Sequence, residues 1–207
     1  MYDFLLNYFD KGGIIFLILS FLSIISITTI VYKIFSFTNF NKNKIDKLIS
    51  GISPSENLNL YKNFSSSELQ LDAVTNSILN SYVDLLDNKK LNENEKDANK
   101  DLIIYSLVKK KQFLMPTLEI IANVSPLLGL LGTVIGMIKS FNELEIAGNL
   151  VDPALLAGGI WTALLTTAIG LIVAIPAMVA HHFFEKKILD IEESANNLFI
   201  ALNNCER

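Results

Sequence analysis

Cysteine is nearly absent from this 207-residue chain. The single thiol, Cys205, stands near the C-terminal end, so no internal disulfide can form, and no metal-ligand spacing surrounds it. Basic character is also lacking. Lys and Arg number 17 against 21 Asp and Glu, a formal net charge of −4. No basic cluster with interleaved aromatics occurs, which argues against nucleic acid as a partner. No nucleophile–base pair or metal cluster is visible, so the chain does not read as an enzyme, and neither metal nor cofactor is expected.

The absence that decides the class is local. Gly12 to Tyr32, Ile120 to Ile138 and Pro153 to Ala180 contain no Asp, Glu, Lys or Arg. About 20 apolar residues at a rise of about 1.5 Å cross a hydrocarbon core of roughly 30 Å. The three stretches therefore read as transmembrane helices over 12–32, 120–138 and 153–180, the third long enough to tilt or to project beyond the lipid bilayer. The first does not read as a cleaved signal peptide. It lacks a basic n-region, its apolar run is too long, and no small-residue cleavage site follows.

Lysine placement gives the orientation. Lys33, Lys42, Lys44 and Lys47 follow span one, Lys109, Lys110 and Lys111 precede span two, and Lys186 and Lys187 follow span three. The N-terminus has only Lys11, and the second connection has only Lys139 beside Glu143, Glu145 and Asp152. The positive-inside rule puts the N-terminus outside and both large polar segments in the cytoplasm. Residues 1–11, with Tyr2, Phe4, Tyr8 and Phe9, suit an interfacial segment at the outer end of span one. Residues 139–152 form a short periplasmic loop.

The cytoplasmic region, 33–119, predicts helices. Ser65 with Glu68 three residues on resembles a capping box. It precedes an apolar stripe at Leu71, Val74, Ile78, Tyr82 and Leu85, spaced three to four apart. After a charged turn near Asn88 to Asn94, a second helix runs from about Lys96 towards span two, with Pro116 placed to bend or end it. The tail, 181–207, repeats the periodicity at Ile188, Ile191, Ala195, Leu198 and Leu202, which extends span three into an amphipathic helix. One stripe per helix asks for packing against the other cytoplasmic helices or a neighbouring subunit. The fold class is all-α: a polytopic membrane protein with three transmembrane helices, spans two and three extended into a cytoplasmic helical bundle.

Spans two and three differ from the bulky, aliphatic span one. Span two places Ser125, Gly129, Gly132, Thr133 and Gly136 at intervals of three or four. Glycine costs about 1 kcal/mol relative to alanine in a helix interior, so three within eight residues need a reason. Close helix approach through small-xxx-small contacts supplies one, here Gly132-xxx-Gly136 and Ser125-xxx-Gly129-xxx-Thr133. Span three carries Ala163, Thr167, Gly170, Ala174 and Ala177 on one face, with Thr162 and Thr166 on an adjoining one. Asp152-Pro153 before it fits an N-cap followed by proline at the first helical position. Pro126 and Pro176 can kink their helices. A proton relay through hydrocarbon usually needs an ionisable group, and no span holds Asp, Glu, Lys or Arg. A proton path through this chain would borrow a carboxylate from a partner, with threonine hydroxyls lining the passage.

Two longer segments carry a resemblance. Ser125-Pro-Leu-Leu-Gly-Leu-Leu-Gly-Thr-Val-Ile-Gly-Met137 resembles the second-span signature of the MotA/TolQ/ExbB proton-channel family. Gly158-Gly-Ile-Trp-Thr-Ala-Leu-Leu-Thr-Thr-Ala-Ile-Gly-Leu-Ile-Val-Ala-Ile-Pro-Ala177 resembles its third-span signature. Three spans with a large first cytoplasmic region match the ExbB/TolQ-like branch. The resemblance implies a pentamer in the bacterial inner membrane whose second and third spans surround two single-span ExbD- or TolR-like helices. Each of these helices supplies a membrane aspartate. Proton flow past it would drive work at the outer membrane, with a TonB- or TolA-like protein as a further partner. Thr133 and Thr167 correspond to the family's pore threonines, and Pro126, Pro176, Gly129, Gly132, Gly136 and Gly170 to its framework positions. Many members carry glutamate where this chain has Thr162. That departure leaves open whether the coupling ion is H⁺ or Na⁺.

The spacing alone is equally compatible with a non-conducting scaffold that holds other membrane proteins. His181-His182 read as interfacial polar residues, because adjacent helical positions point about 100° apart and chelate one ion poorly. Trp161 reads as a packing or interfacial residue near the outer end of span three.

Overall fold

The computed structural model describes residues 2–37, 42–51, 73–86, 92–147 and 153–206. Among these, only residues 92, 113 and 114 lie outside helices, and no strand occurs. The helices are α1 (Tyr2–Phe37), α2 (Lys42–Gly51), α3 (Ala73–Leu86), α4 (Glu93–Gln112), α5 (Met115–Ala147) and α6 (Pro153–Glu206). Three are long and apolar enough to cross a membrane, within Gly13–Phe37, Met115–Ile146 and Leu156–Asn204. The fold is all-α, with three candidate spans. It divides into two compact units, Met1–Tyr32 with Leu114–Phe183 and Lys33–Phe113 with Phe184–Arg207.

The first unit holds the three apolar helices. α1 bends at Gly13, whose backbone (φ 60, ψ −160) is left-handed and therefore favours glycine. Beyond the bend, α1 buries Ile15, Leu19, Ser26 and Thr29 on one side and exposes Ile14, Phe21, Ile24 and Ile27 on the other. A face of exposed aliphatic and aromatic side chains is what a lipid-facing helix presents. Pro153 opens α6 as expected; Asp152, its expected cap, lies outside the described residues. Both α5 and α6 continue through Pro126 and Pro176.

The second unit is built around one apolar core. Ile78, Leu79, Tyr82, Val83 and Leu85 of α3 meet Ile104 of α4 and Ala195, Leu198, Phe199 and Leu202 of α6. The stripe read from the tail is buried at every position: Ile188, Ile191, Ala195, Leu198 and Leu202. In the α3 stripe Ile78, Tyr82 and Leu85 are buried, whereas Leu71 and the Val74 side chain lie outside the described residues, as does the Ser65–Glu68 pair. Tyr82 meets Phe199 edge-on at 5.1 Å, a favoured aromatic geometry.

A capping box starts α4, at a position not read as one from the sequence. Asn92 Oδ1 accepts from the Glu95 amide at 2.9 Å, and Glu95 Oε2 accepts from the Asn92 amide at 2.9 Å. This starts α4 at Glu93. α4 ends at Phe113, which is extended (φ −49, ψ 132), and Leu114 follows in the left-handed region (φ 66). The break thus precedes Pro116, which sits in the first turn of α5, where its missing N–H is harmless.

Two lysines cap each other's helices in this unit. The Lys33 ammonium donates to the Lys111 carbonyl, and the Lys111 ammonium donates to the Ser36 carbonyl at 2.8 Å. Each cation thereby meets carbonyls that a helix C-terminus leaves without an intrahelical donor. Both also face the Phe37 ring, at 5.5 and 5.2 Å from its centre, and that ring stacks on Phe184. Lys42 bridges Glu193 at 2.8 Å and Asp190 at 3.2 Å. Hydrogen bonds to Glu193, then to Asp190, raise its pKa above the usual lysine value.

The Tyr82 hydroxyl is buried without a hydrogen-bond partner. Burial, and secondarily the charge of Asp101, raise the phenol above its ordinary 10.0. The folded state therefore holds a proton that the unfolded chain releases, so stability falls as pH rises beyond about 10. Tyr82→Phe should raise stability by about 1 kcal/mol and flatten that alkaline loss, because it removes the unsatisfied group. Leu198→Ala in the same core should lower stability by about 2–5 kcal/mol. Thermal unfolding of the detergent-solubilised protein between neutral and alkaline pH checks both.

Candidate functional site

The seam between spans two and three is built from residues too small to keep two backbones apart. On α5, Ser125, Gly129, Gly132 and Ser140 are buried, and Gly136 is half-buried. A Cβ added at Gly129 would lie 3.0 Å from both the Thr166 carbonyl oxygen and the Thr167 Cα. One added at Gly170 would lie 2.6 Å from the Ser125 carbonyl oxygen and 3.1 Å from the Gly129 Cα. At Gly136 it would meet the Ala163 Cβ at 2.8 Å, and at Gly132 and Gly159 it would overlap the hydroxyls of Thr166 and Ser140. Gly129 and Gly170 therefore mark direct backbone-to-backbone contact, the geometry small residues permit in membrane helices.

Hydroxyls reinforce the contact. Thr167 Oγ1 donates to the Gly129 carbonyl at 3.1 Å. Thr166 Oγ1 lies 3.2 Å from the same oxygen and 2.7 Å from the Ala163 carbonyl of its own helix. Its one proton serves one acceptor at a time, and the shorter contact is the local one. The Ser125 hydroxyl is buried with no partner.

The four threonines expected along a passage are not gathered at one place. Thr166 is buried inside the pair and Thr167 half-buried at its edge, which reverses the expected prominence of the two positions. Relative to Ala163 the two lie about 60° and 40° to either side, so both border the face and packing selects the one enclosed. Thr133 is off the seam, correcting the Ser125-xxx-Gly129-xxx-Thr133 pattern. Eight residues from Ser125 rotate about 80° off its face, whereas seven return almost to it, so Gly132 takes the place. The Thr133 hydroxyl donates to Leu130 of its own helix at 2.7 Å, and its side chain lines an open groove with Met137 and Asn142. Thr162 bonds the Gly158 carbonyl at 2.9 Å. It shares with Thr166 and Ser140 the wall of a separate cavity of about 300 Å³.

Ala163, Ala174 and Ala177 are buried. Ser140 and Gly159 extend the seam by one turn and were not singled out from sequence, although each continues the four-residue step from Gly136 and Ala163. Trp161 is 63% exposed. Among the described residues no group of three His, Cys, Asp or Glu could hold a metal ion.

Three apolar helices, two of them sealed together by glycine, serine and threonine, define a class of multi-span membrane protein. Residues 70–197 match the profile of the MotA/TolQ/ExbB proton channel family, more than half of the chain. Biopolymer transport protein exbB1 of Vibrio cholerae is 46% identical over 61 residues, 30% of this chain and 27% of that protein. The Tol-Pal system protein TolQ of Haemophilus influenzae is 40% identical over 83 residues, 40% of this chain and 36% of that one. A putative biopolymer transport protein ExbB-like 1 of Helicobacter pylori is 31% identical over 107 residues, 50% of this chain and 56% of the relative. In each case the alignment covers less than two thirds of the relative's length. The chain belongs to the MotA/TolQ/ExbB proton channel family, in its ExbB/TolQ-like branch.

The seam makes a graded expectation. Gly170→Ala should be the most destabilising of the glycine substitutions, because its Cβ meets a main-chain oxygen that cannot rotate away. Gly132→Ala should be relieved only in part by Thr166→Ala, which removes the hydroxyl it strikes but leaves the Thr166 Cβ 2.6 Å away, and more fully by Thr166→Gly. Overpacking typically costs about 1–3 kcal/mol. Thermal denaturation of the single and double variants in detergent checks the order.

Proposed function

We propose that this chain is the pore-forming stator subunit of an inner-membrane complex driven by the proton-motive force, coupling ion flow to work at the outer membrane. One observation carries the reading. Hydroxyl-bearing spans two and three are sealed by backbone contact at Gly129 and Gly170, while no span contains Asp, Glu, Lys or Arg. A translocated ion needs a counter-group in hydrocarbon, so another polypeptide has to bring it. An ExbD/TolR-like single-span protein with a membrane Asp has the required chemistry. Several copies of this chain, five by family resemblance, would surround it, and a TonB- or TolA-like protein would receive the work.

Lysine asymmetry supports a periplasmic N-terminus and a cytoplasmic C-terminus. It also supports the division into an outer segment (1–11), spans at 12–32, 120–138 and 153–180, a cytoplasmic region (33–119), a periplasmic loop (139–152) and a cytoplasmic tail (181–207). Thr133, at the groove, and Thr167, at the edge of the seam, are the hydroxyls best placed to face a central partner. Thr162 and Thr166 would contribute from the cavity side.

A non-conducting scaffold is the second reading. It is favoured by the Thr167 hydroxyl, which donates to the Gly129 carbonyl of the neighbouring helix, a stapling role. Thr167→Val separates the two. It keeps the side-chain shape and removes the hydroxyl, so the assembled complex should lose coupled transport by about tenfold while still co-purifying with its single-span partner. Full activity would favour the scaffold. Vesicles holding this polypeptide alone should show no gradient-coupled proton passage, measured with an internal pH dye.

A further inference from the structure

The cavity of about 300 Å³ lies among the outer ends of the three apolar helices, at Gly13, Ile14 and Ile15 of α1, at 132–143 of α5 and at 159–166 of α6. Its hydroxyls have a common polarity. Ser140 donates to the Gly136 carbonyl at 3.0 Å, Thr162 to the Gly158 carbonyl at 2.9 Å, and Thr166 to the Ala163 carbonyl at 2.7 Å. A hydroxyl has one proton and two lone pairs, so each of the three presents only acceptor capacity to the cavity. Ser140 and Thr166 are themselves 3% and 4% exposed. Glu143 adds a carboxylate to the wall and Lys139 an ammonium. The two stand one turn apart, yet neither is in an ion pair among the described residues. The rest of the wall is glycine, isoleucine and Ala163.

We propose that this cavity binds the headgroup of an amine-bearing phospholipid, phosphatidylethanolamine in chemical terms, from the outer leaflet. A wall of acceptors selects a group rich in donors, and a primary ammonium offers three. The Glu143 carboxylate and the lone pairs of Ser140 and Thr162 receive that ammonium, and Lys139 meets the phosphate. Ile14, Ile15 and Ile135 lie beside the first part of an acyl chain. A quaternary choline has no N–H to donate, and a glycerol headgroup has no cation for Glu143. The proposal rests on the membrane orientation given above and not on ion conduction.

The test is lipid retention by the full chain, measured without any ion gradient, so that its outcome is separate from that of the transport experiment. The protein is reconstituted in nanodiscs of equal parts phosphatidylethanolamine, phosphatidylcholine and phosphatidylglycerol. It is then extracted in mild detergent, and the lipids it keeps are identified by native mass spectrometry. Phosphatidylethanolamine should exceed each of the others by about tenfold. Glu143→Gln and Ser140→Ala should each reduce that preference, and Lys139→Gln should lower retention of all three lipids. Retention in the supplied proportions would overturn the proposal, as would an unchanged preference in Glu143→Gln. The wild-type competition decides the matter even where a variant fails to fold.

Discussion

The first unit depends on one contact, the meeting of α5 and α6 backbones at Gly129 and Gly170. Between helices in lipid there is no hydrophobic driving force, because acyl chains are as apolar as leucine. What holds such helices is dispersion at short range and hydrogen bonds across the gap, and both grow as the backbones approach. Glycine is the only residue that permits the distances found here. Its helix penalty of about 1 kcal/mol per position is offset by contact that no other side chain would allow. The same closeness brings the Thr167 hydroxyl within reach of the Gly129 carbonyl, so packing and polarity at the seam share one cause.

The second unit follows the opposite logic. There the contacts are made by large side chains, with Ile78, Tyr82, Leu198 and Leu202 enclosed together in one apolar core. Its polar devices sit at helix ends and at the surface: the Asn92–Glu95 box, the reciprocal lysines, and Lys42 between Asp190 and Glu193. The last is exposed enough for solvent and salt to screen it, so it orients more than it stabilises.

How much of this was legible in sequence depended on whether a feature is periodic or tertiary. The apolar stripes of α3 and the tail were readable because a period of 3.6 leaves a regular trace, and their described members are all buried. The seam was readable in outline for the same reason. Thr133 falls off the packing seam because steps of four drift off a helical face after two repeats. Ser140 escaped notice because Lys139 was taken to end span two, and a charge that ends an apolar run does not end a helix. The break at Phe113–Leu114 could not be seen: neither residue is a usual breaker, and the nearby Pro116 drew the expectation to itself. Nor could the pairing of Lys33 with Lys111, which are 78 positions apart and carry the same charge.

The contrast between that break and the uninterrupted run of α6 has a consequence for how the chain tolerates insertions and deletions. From Pro153 to Glu206 the helical phase is continuous, so one residue inserted midway would turn every later side chain by about 100° about the axis. Ile188, Ile191 and Leu198 would leave their places together. Between α4 and α5 the left-handed Leu114 resets the phase, and a length change there need not be propagated. Evolutionary drift in length has room on one side of span two and almost none beyond span three.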